Sequence, residues 1–104
     1  MDYQDFINKT ETMLVEFYAS WCPHCQRMMP VVAEVKELLG GMAGVYQFDI
    51  DKNQQAAEEA GVESVPTFII YRNGKELWRH TGEIDGQVLL ETVQRCMAPR
   101  TDEY

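Results

Sequence analysis

The sequence predicts an α/β fold, in which a mixed sheet of about four strands is flanked by helices on both faces. Residues 13–19 form an apolar run broken by one carboxylate, as in a central strand buried on both faces. The helical pattern that follows them implies a crossover to a parallel strand. Residues 67–71 and 76–80 flank Asn73-Gly74, the strongest short signal for an antiparallel hairpin. Parallel and antiparallel pairing together indicate a mixed sheet.

The first half of the chain alternates helix and strand. A short amphipathic helix is predicted at residues 3–9, whose apolar side chains recur at helical spacing. After the buried strand, a helix is predicted over residues 22–39, and Gly40-Gly41 ends it. Its apolar residues recur at three and four positions and predict one buried stripe: Met28, Val31, Val32, Val35, Leu38 and Leu39.

The second half continues with a strand at residues 45–50, where apolar and polar residues alternate. A short helix at 51–60 ends at Gly61, and the hairpin follows. Asp85 is expected to cap a last helix, and residues 98–104 have the polar composition of a frayed tail. The apolar stripe of that helix is predicted to contain Val88, Leu89, Val93 and Met97. The whole chain, residues 1–104, is expected to form a single domain.

Composition and charge narrow the range of partners and locations expected for this chain. A formal charge of −8 repels phosphate backbones and anionic lipids, so neither nucleic acid nor a membrane is expected as a partner. No apolar run is as long as a membrane span, and the first residues lack the features of a signal peptide, which together favour a cytoplasmic location. Three cysteines are too few for a disulfide scaffold, so the core must stabilise the fold.

Two cysteines separated by two residues mark the candidate active site. Cys22 falls at the predicted N-cap of the long helix, and Pro23 occupies the first helical position, which proline favours. The free N–H groups and the dipole of a helix start stabilise an anion, so the pKa of Cys22 should be lowered. Cys22 is therefore the predicted nucleophile, an exposed thiolate, and Cys25, one turn further on, would resolve a mixed disulfide.

Two other interpretations of the cysteines remain. The pair could be a static disulfide or two unreactive thiols. A metal could be held by both cysteines together with Cys96 and a histidine, but no second Cys-x-x-Cys or His-x-x-x-His pair completes such a set. Cys96 itself is expected to be a small apolar residue of the last helix, and a regulatory thiol is the alternative. We expect neither a metal nor an organic cofactor.

Glu16 and His24 are the candidate residues for proton transfer and redox tuning. Glu16 is the lone carboxylate of the apolar strand, and burial would raise its pKa toward neutrality, where it could take the proton of Cys25. The alternative is a strand-end side chain turned to solvent. His24, as an imidazolium beside Cys22, would favour the reduced form, whereas a neutral exposed ring would do little.

These motifs together resemble the thioredoxin family. The resemblance covers residues 3–97: a strand, Trp21 before the Cys-x-x-Cys pair, a helix with Pro30 five residues past the second cysteine, and Val65-Pro66-Thr67 opening the hairpin. It implies thiol-disulfide exchange with protein dithiols and disulfides, and a redox partner that recycles the pair. It also implies that Glu16 is the family's buried acid and that Pro66 is a cis-proline facing the cysteines.

The resemblance implies a substrate-binding face as well. There the Val65 backbone would pair with an extended substrate, and Trp21 with Tyr18 would form part of an apolar docking surface. Core positions for the two aromatic rings are the alternative. A protein of another class would use the same face only for binding, with the cysteines redox-idle.

Two departures from the family pattern carry expectations of their own. No residues are available for the family's first edge strand, so residues 45–50 should form an uncovered edge that could pair with a second copy. Pro23-His24 replaces the usual Gly-Pro and is similar to the DsbA-type disulfide oxidases, as is the glutamate six residues before Cys22. We therefore expect a reduction potential between those of thioredoxin and DsbA, about −270 and about −120 mV.

Overall fold

A computed structural model describes residues 2–97, and the predicted tail at 98–104 lies outside them. The described part contains a four-stranded mixed sheet with strand order β2-β1-β3-β4, in which β1 pairs parallel to β2 and antiparallel to β3. This confirms the predicted fold class. The elements are α1 Tyr3–Ile7, β1 Thr12–Tyr18, α2 Pro23–Leu39, β2 Gly44–Asp49, α3 Gln54–Glu59, β3 Thr67–Arg72, β4 Lys75–Thr81 and α4 Gly86–Met97.

Two apolar cores cover the two faces of the sheet. Because side chains alternate along a strand, neighbouring residues of β1 enter different cores. Leu14 joins the core formed with α2 and α4, whereas Met13, Val15 and Phe17 join the core formed with α1 and α3. Every residue from Met13 to Phe17 is fully buried, as the apolar run predicts for a central strand.

The two long helices follow the predicted pattern with two corrections. Leu38 and Val88, both expected on buried stripes, are exposed. Each lies at the margin of the buried stripe of its helix, and Leu90 is buried in α4 instead. Asp85 caps α4 as predicted, because its Oδ2 accepts from the backbone N–H groups of Gln87 and Val88 at 3.1 and 3.2 Å.

Strand β2 lies at one edge of the sheet that the described residues form, as predicted. Strand β4 forms the other edge and pairs with β3 through the hairpin at Asn73-Gly74, where both residues have positive φ. The central position of β1 matters for the site, because the chain leaves its end to begin α2. The junction between β1 and α2 therefore lies at the middle of one end of the sheet.

Candidate active site

The junction between β1 and α2 positions Cys22. Its backbone is extended, with φ −90° and ψ 118°, and Pro23 follows at the start of the helix, which confirms the predicted N-cap. The backbone N–H of Gln26 donates to the Cys22 carbonyl at 3.0 Å and closes the first turn. The Cys22 side chain makes no capping hydrogen bond. Its thiol is directed to the Val65 carbonyl at 3.9 Å instead.

The expectation of a freely exposed Cys22 is wrong, because only 5% of the residue's surface is accessible. Cys22 lines a groove of about 350 Å³, which it forms together with residues of α3 and of the loop that follows α3. Apolar side chains make up most of the groove wall. The lining residues are Trp21, Cys22, Ile50, Ala57, Val62, Glu63, Ser64 and Val65.

The surroundings shift the pKa values of the two cysteines in opposite directions. The pKa of Cys22 is lowered, first by the backbone N–H of Cys25 and then, against an opposing effect of burial, by the Cys25 thiol, the His24 N–H and the charge of Arg27. Burial raises the pKa of Cys25 to about 12, and the Cys22 sulfur and Glu16 add to that rise. Cys25 is completely buried. Cys22 is therefore the thiol that ionises first, as the sequence predicts.

Glu16 is fully buried, as predicted, which excludes the alternative of a strand-end side chain turned to solvent. Burial raises its pKa to about 7, and a hydrogen bond from Gln47 Nε2 to Oε1, 2.8 Å long, partly opposes that rise. The two residues are register partners on β1 and β2. Oε2 has no hydrogen-bond partner among the described residues. A carboxyl with these surroundings changes protonation near neutral pH, and its charge acts on Cys25.

His24 lies on the exposed side of α2 and forms part of an ionic cluster. Its Nδ1 is 2.7 Å from Glu83 Oε2, and Arg27, one turn along the helix, donates to the same oxygen through Nε and Nη2 at 2.9 and 2.8 Å. These contacts hold the pKa of Glu83 at about 2, mainly through the Arg27 hydrogen bonds. His24 therefore has a carboxylate partner that the sequence does not reveal.

The remaining predicted site residues also lie around the cysteines. The Val65-Pro66 peptide bond is cis, as the resemblance implies. Trp21 is 65% exposed, so a core position is excluded, and its Nε1 donates to Asp51 Oδ2 at 2.9 Å. The structure thus brings Trp21, Val65 and Cys22 to one groove.

Sequence reasoning missed Gln47, Arg27 and Glu83. Arg27 follows His24 by three residues, so helical spacing alone could have placed the two on one face. Gln47 and Glu83 required knowledge of strand register and of a loop, for which the sequence carries no local signal. Within residues 2–97, no three His, Cys, Asp or Glu side chains are arranged to hold a metal ion, and no helix is long and apolar enough to cross a membrane.

Fold and site together define an α/β protein with a Cys-x-x-Cys pair at a strand-to-helix junction beside a cis-proline. The thioredoxin family profile matches residues 1–95, and the chain belongs to that family. Chloroplastic thioredoxin Y of Oryza sativa is 35% identical over 96 residues, which cover 91% of this chain and 57% of the relative. Thioredoxin 1 of Nostoc is 29% identical, over 88% of this chain and 86% of the relative.

Solved structures agree with this assignment. A mutant thioredoxin from Halobacterium salinarum superposes with a TM-score of 0.82 at 30% identity, covering 93% of this chain and 84% of the other. The chain spans only about half the length of the chloroplastic thioredoxins Y that it matches, 51 to 57%.

Proposed function

We propose that this chain is a protein-disulfide oxidoreductase that works through Cys22 and Cys25. The observation that carries the proposal is the opposite shift of the two thiol pKa values, because it supplies one ready nucleophile and one thiol held in reserve. Membership of the thioredoxin family supports the same chemistry. No cofactor is required, since the electrons come from the two sulfurs.

In the first step, the Cys22 thiolate attacks one sulfur of a client disulfide. A bond forms between that sulfur and Cys22, and the other client sulfur leaves as a thiolate. The groove beside Cys22 receives the client: Trp21 offers apolar surface, and the backbone next to Pro66 offers an edge for an extended segment. The start of α2, with Pro23 fixing its first turn and His24 next to it, stabilises the thiolate.

In the second step, Cys25 attacks the Cys22 sulfur. Its thiol has a pKa of about 12 and needs a base, and the Glu16 carboxylate is the buried group that can accept the proton. The new Cys22–Cys25 disulfide releases the second client sulfur as a thiolate. Two electrons have then passed from the cysteine pair to the client, and an external dithiol partner must return them.

We propose reduction of client disulfides as the direction of electron transfer, and the relatives, which are named thioredoxins, support it. Oxidation of client dithiols is the reverse of the same steps. The equilibrium with glutathione distinguishes them, because a potential near that of DsbA would make the disulfide form an oxidant. The predicted cytoplasmic location stays a prediction, which cell fractionation can check.

The activity is tested by the reduction of insulin disulfides, with dithiothreitol as the electron source and turbidity as the measurement. Wild type should accelerate precipitation, and Cys22→Ser should not. Equal, negligible rates for both proteins would favour the redox-idle binding module instead.

Pairing of two copies through the β2 edge is a separate proposal, supported by the position of that strand at the edge of the sheet. A purely monomeric species by light scattering at high concentration would contradict it.

A further inference from the structure

The loop between β4 and α4 places a carboxylate beside the active site. Gly82 N donates to the Pro66 carbonyl at 2.8 Å, and the φ of Gly82, +103°, is one that a side chain would disfavour. Next to it, the Glu83 carbonyl lies 3.2 Å from His80 Nε2. The backbone of Glu83 is thus fixed between the cis-proline and β4. Its side chain reaches across to the first turns of α2.

One carboxylate oxygen of Glu83 serves two basic side chains. Oε2 accepts from Arg27 through two nitrogens and lies 2.7 Å from His24 Nδ1. Arg27 Nη2 and His24 Nδ1 are themselves only 2.8 Å apart. A guanidinium has donors only, so Arg27 is the donor in this contact when the ring nitrogen carries no hydrogen, and the Glu83 oxygen accepts from both groups when it does. Without Glu83, the positive charge of Arg27 would be uncompensated at the start of α2.

That charge matters for the equilibrium of the cysteine pair. The reduced form carries the anion, the Cys22 thiolate, whereas the disulfide carries none, so positive charge at the helix start favours the reduced form. Arg27 is close enough to act on Cys22. Glu83 offsets this effect by one negative charge. The side chains are partly exposed, 56% for Arg27 and 39% for Glu83, so solvent screens the effect without removing it.

We propose that Glu83 is a positioning residue that sets the redox equilibrium of Cys22 and Cys25 by compensating the positive charge of Arg27, beside His24, at the start of α2. This inference rests on the thiol-disulfide exchange proposed above. The cluster counteracts the oxidising tendency expected of a Pro-His dipeptide between the cysteines, and it keeps the chain closer to a reductant. Charge, rather than bulk or loop anchoring, is the property of Glu83 that matters.

The test is the equilibrium between the protein disulfide with two glutathione molecules and the protein dithiol with glutathione disulfide. Glu83→Gln keeps the size and an acceptor oxygen but removes the charge. It should shift the equilibrium constant toward the dithiol by about threefold, which corresponds to about 14 mV. The difference should shrink in 1 M salt, where the screening length is about 3 Å. A structural effect of the substitution would not depend on salt in this way.

Two further variants make the test specific. Glu83→Asp keeps the charge and should stay within error of wild type, whereas Glu91→Gln removes an exposed carboxylate from the middle of α4 and should have no effect. An unchanged equilibrium constant in Glu83→Gln, or a shift toward the disulfide, overturns the inference. Failure of the wild type to exchange with glutathione at all would instead overturn the proposed function.

Discussion

Cys22 and Cys25 are three residues apart, yet their surroundings have opposite effects. Cys22 lies at the start of a helix, where backbone N–H groups and Arg27 lower its pKa. Cys25 is buried inside the first turn, where lack of solvent and the nearby Glu16 raise its pKa to about 12. The difference indicates that the proposed order of attack depends on the surroundings of each sulfur and not on the Cys-x-x-Cys motif alone. It comes from whether a sulfur lies before or behind the first helical turn.

Replacing each cysteine in turn is the most direct test of the difference between Cys22 and Cys25. Cys22→Ser should lower the rate of insulin reduction by roughly 10³-fold or more, because the nucleophile itself is removed. In Cys25→Ser, Cys22 should still attack the client disulfide. The reaction should stop at the mixed disulfide, since no second thiol remains to resolve it. Mass spectrometry of the Cys25→Ser protein after one exposure to a client should detect the covalent adduct.

The same experiment contains its own control. Cys96→Ser, on α4, should leave both the rate and the product unchanged, because Cys96 packs at the margin of the core away from the pair. A stable adduct on Cys22→Ser, attached through Cys25, would mean that the two thiols have exchanged roles. The environment would then not determine the order of attack.

Glu16→Gln should give the next largest effect, on stability. The folded-state pKa of about 7 exceeds the ordinary 4.5, so the stability due to the protonated acid is present in full below about pH 4.5 and is lost as the pH rises through 7. At pH 8 the buried carboxylate destabilises wild type by about 3 kcal/mol. The Gln variant should therefore be more stable than wild type by up to this amount at pH 8, and similar at pH 4, by urea unfolding.

An exposed carboxylate provides the matched control for that measurement. Glu58→Gln, on α3, should change the free energy of unfolding little at either pH. An advantage of Glu16→Gln that is the same at pH 4 and pH 8 would contradict ionisation as its cause. If the same variant also resolved mixed disulfides at the wild-type rate, Glu16 would not be the base for Cys25.

Gln47→Leu tests how far the hydrogen bond from Gln47 lowers the pKa of Glu16. The hydrogen bond from Gln47 favours the ionised carboxylate, so its loss should raise the pKa of Glu16 above about 7. Hydrogen bonds to charged groups contribute about 1.5–3 kcal/mol, and exposure of Gln47 places the effect at the lower end, about one pKa unit. The NMR chemical shift of the Glu16 carboxyl carbon, followed as a function of pH, measures this pKa. Gln55→Leu, on α3, is the control, and an identical titration in both variants would contradict the role of Gln47.

The sequence predicted the local features of the site better than the contacts that distant parts of the chain make with it. The N-cap position of Cys22 and the burial of Glu16 follow from local patterns, a proline at the first helical position and a carboxylate within an apolar run. The depth of Cys22 in its groove does not, because it depends on loops that fold back from elsewhere in the chain. Gln47 and Glu83 were missed for the same reason, since they reach the site through strand pairing and a loop rather than through spacing along the sequence.

Arg27→Gln should have the smallest effect, because the Arg27 charge is the weakest of the causes that lower the pKa of Cys22 and its side chain is half exposed. The pKa should rise, and the rate of alkylation of Cys22 by iodoacetamide at pH 6 should fall by about twofold, since the thiolate is the reacting species. Lys36→Gln removes a positive charge from the far end of the same helix and should leave the rate unchanged. Equal rates for both variants would mean that the charge of Arg27 contributes nothing to the reactivity of Cys22.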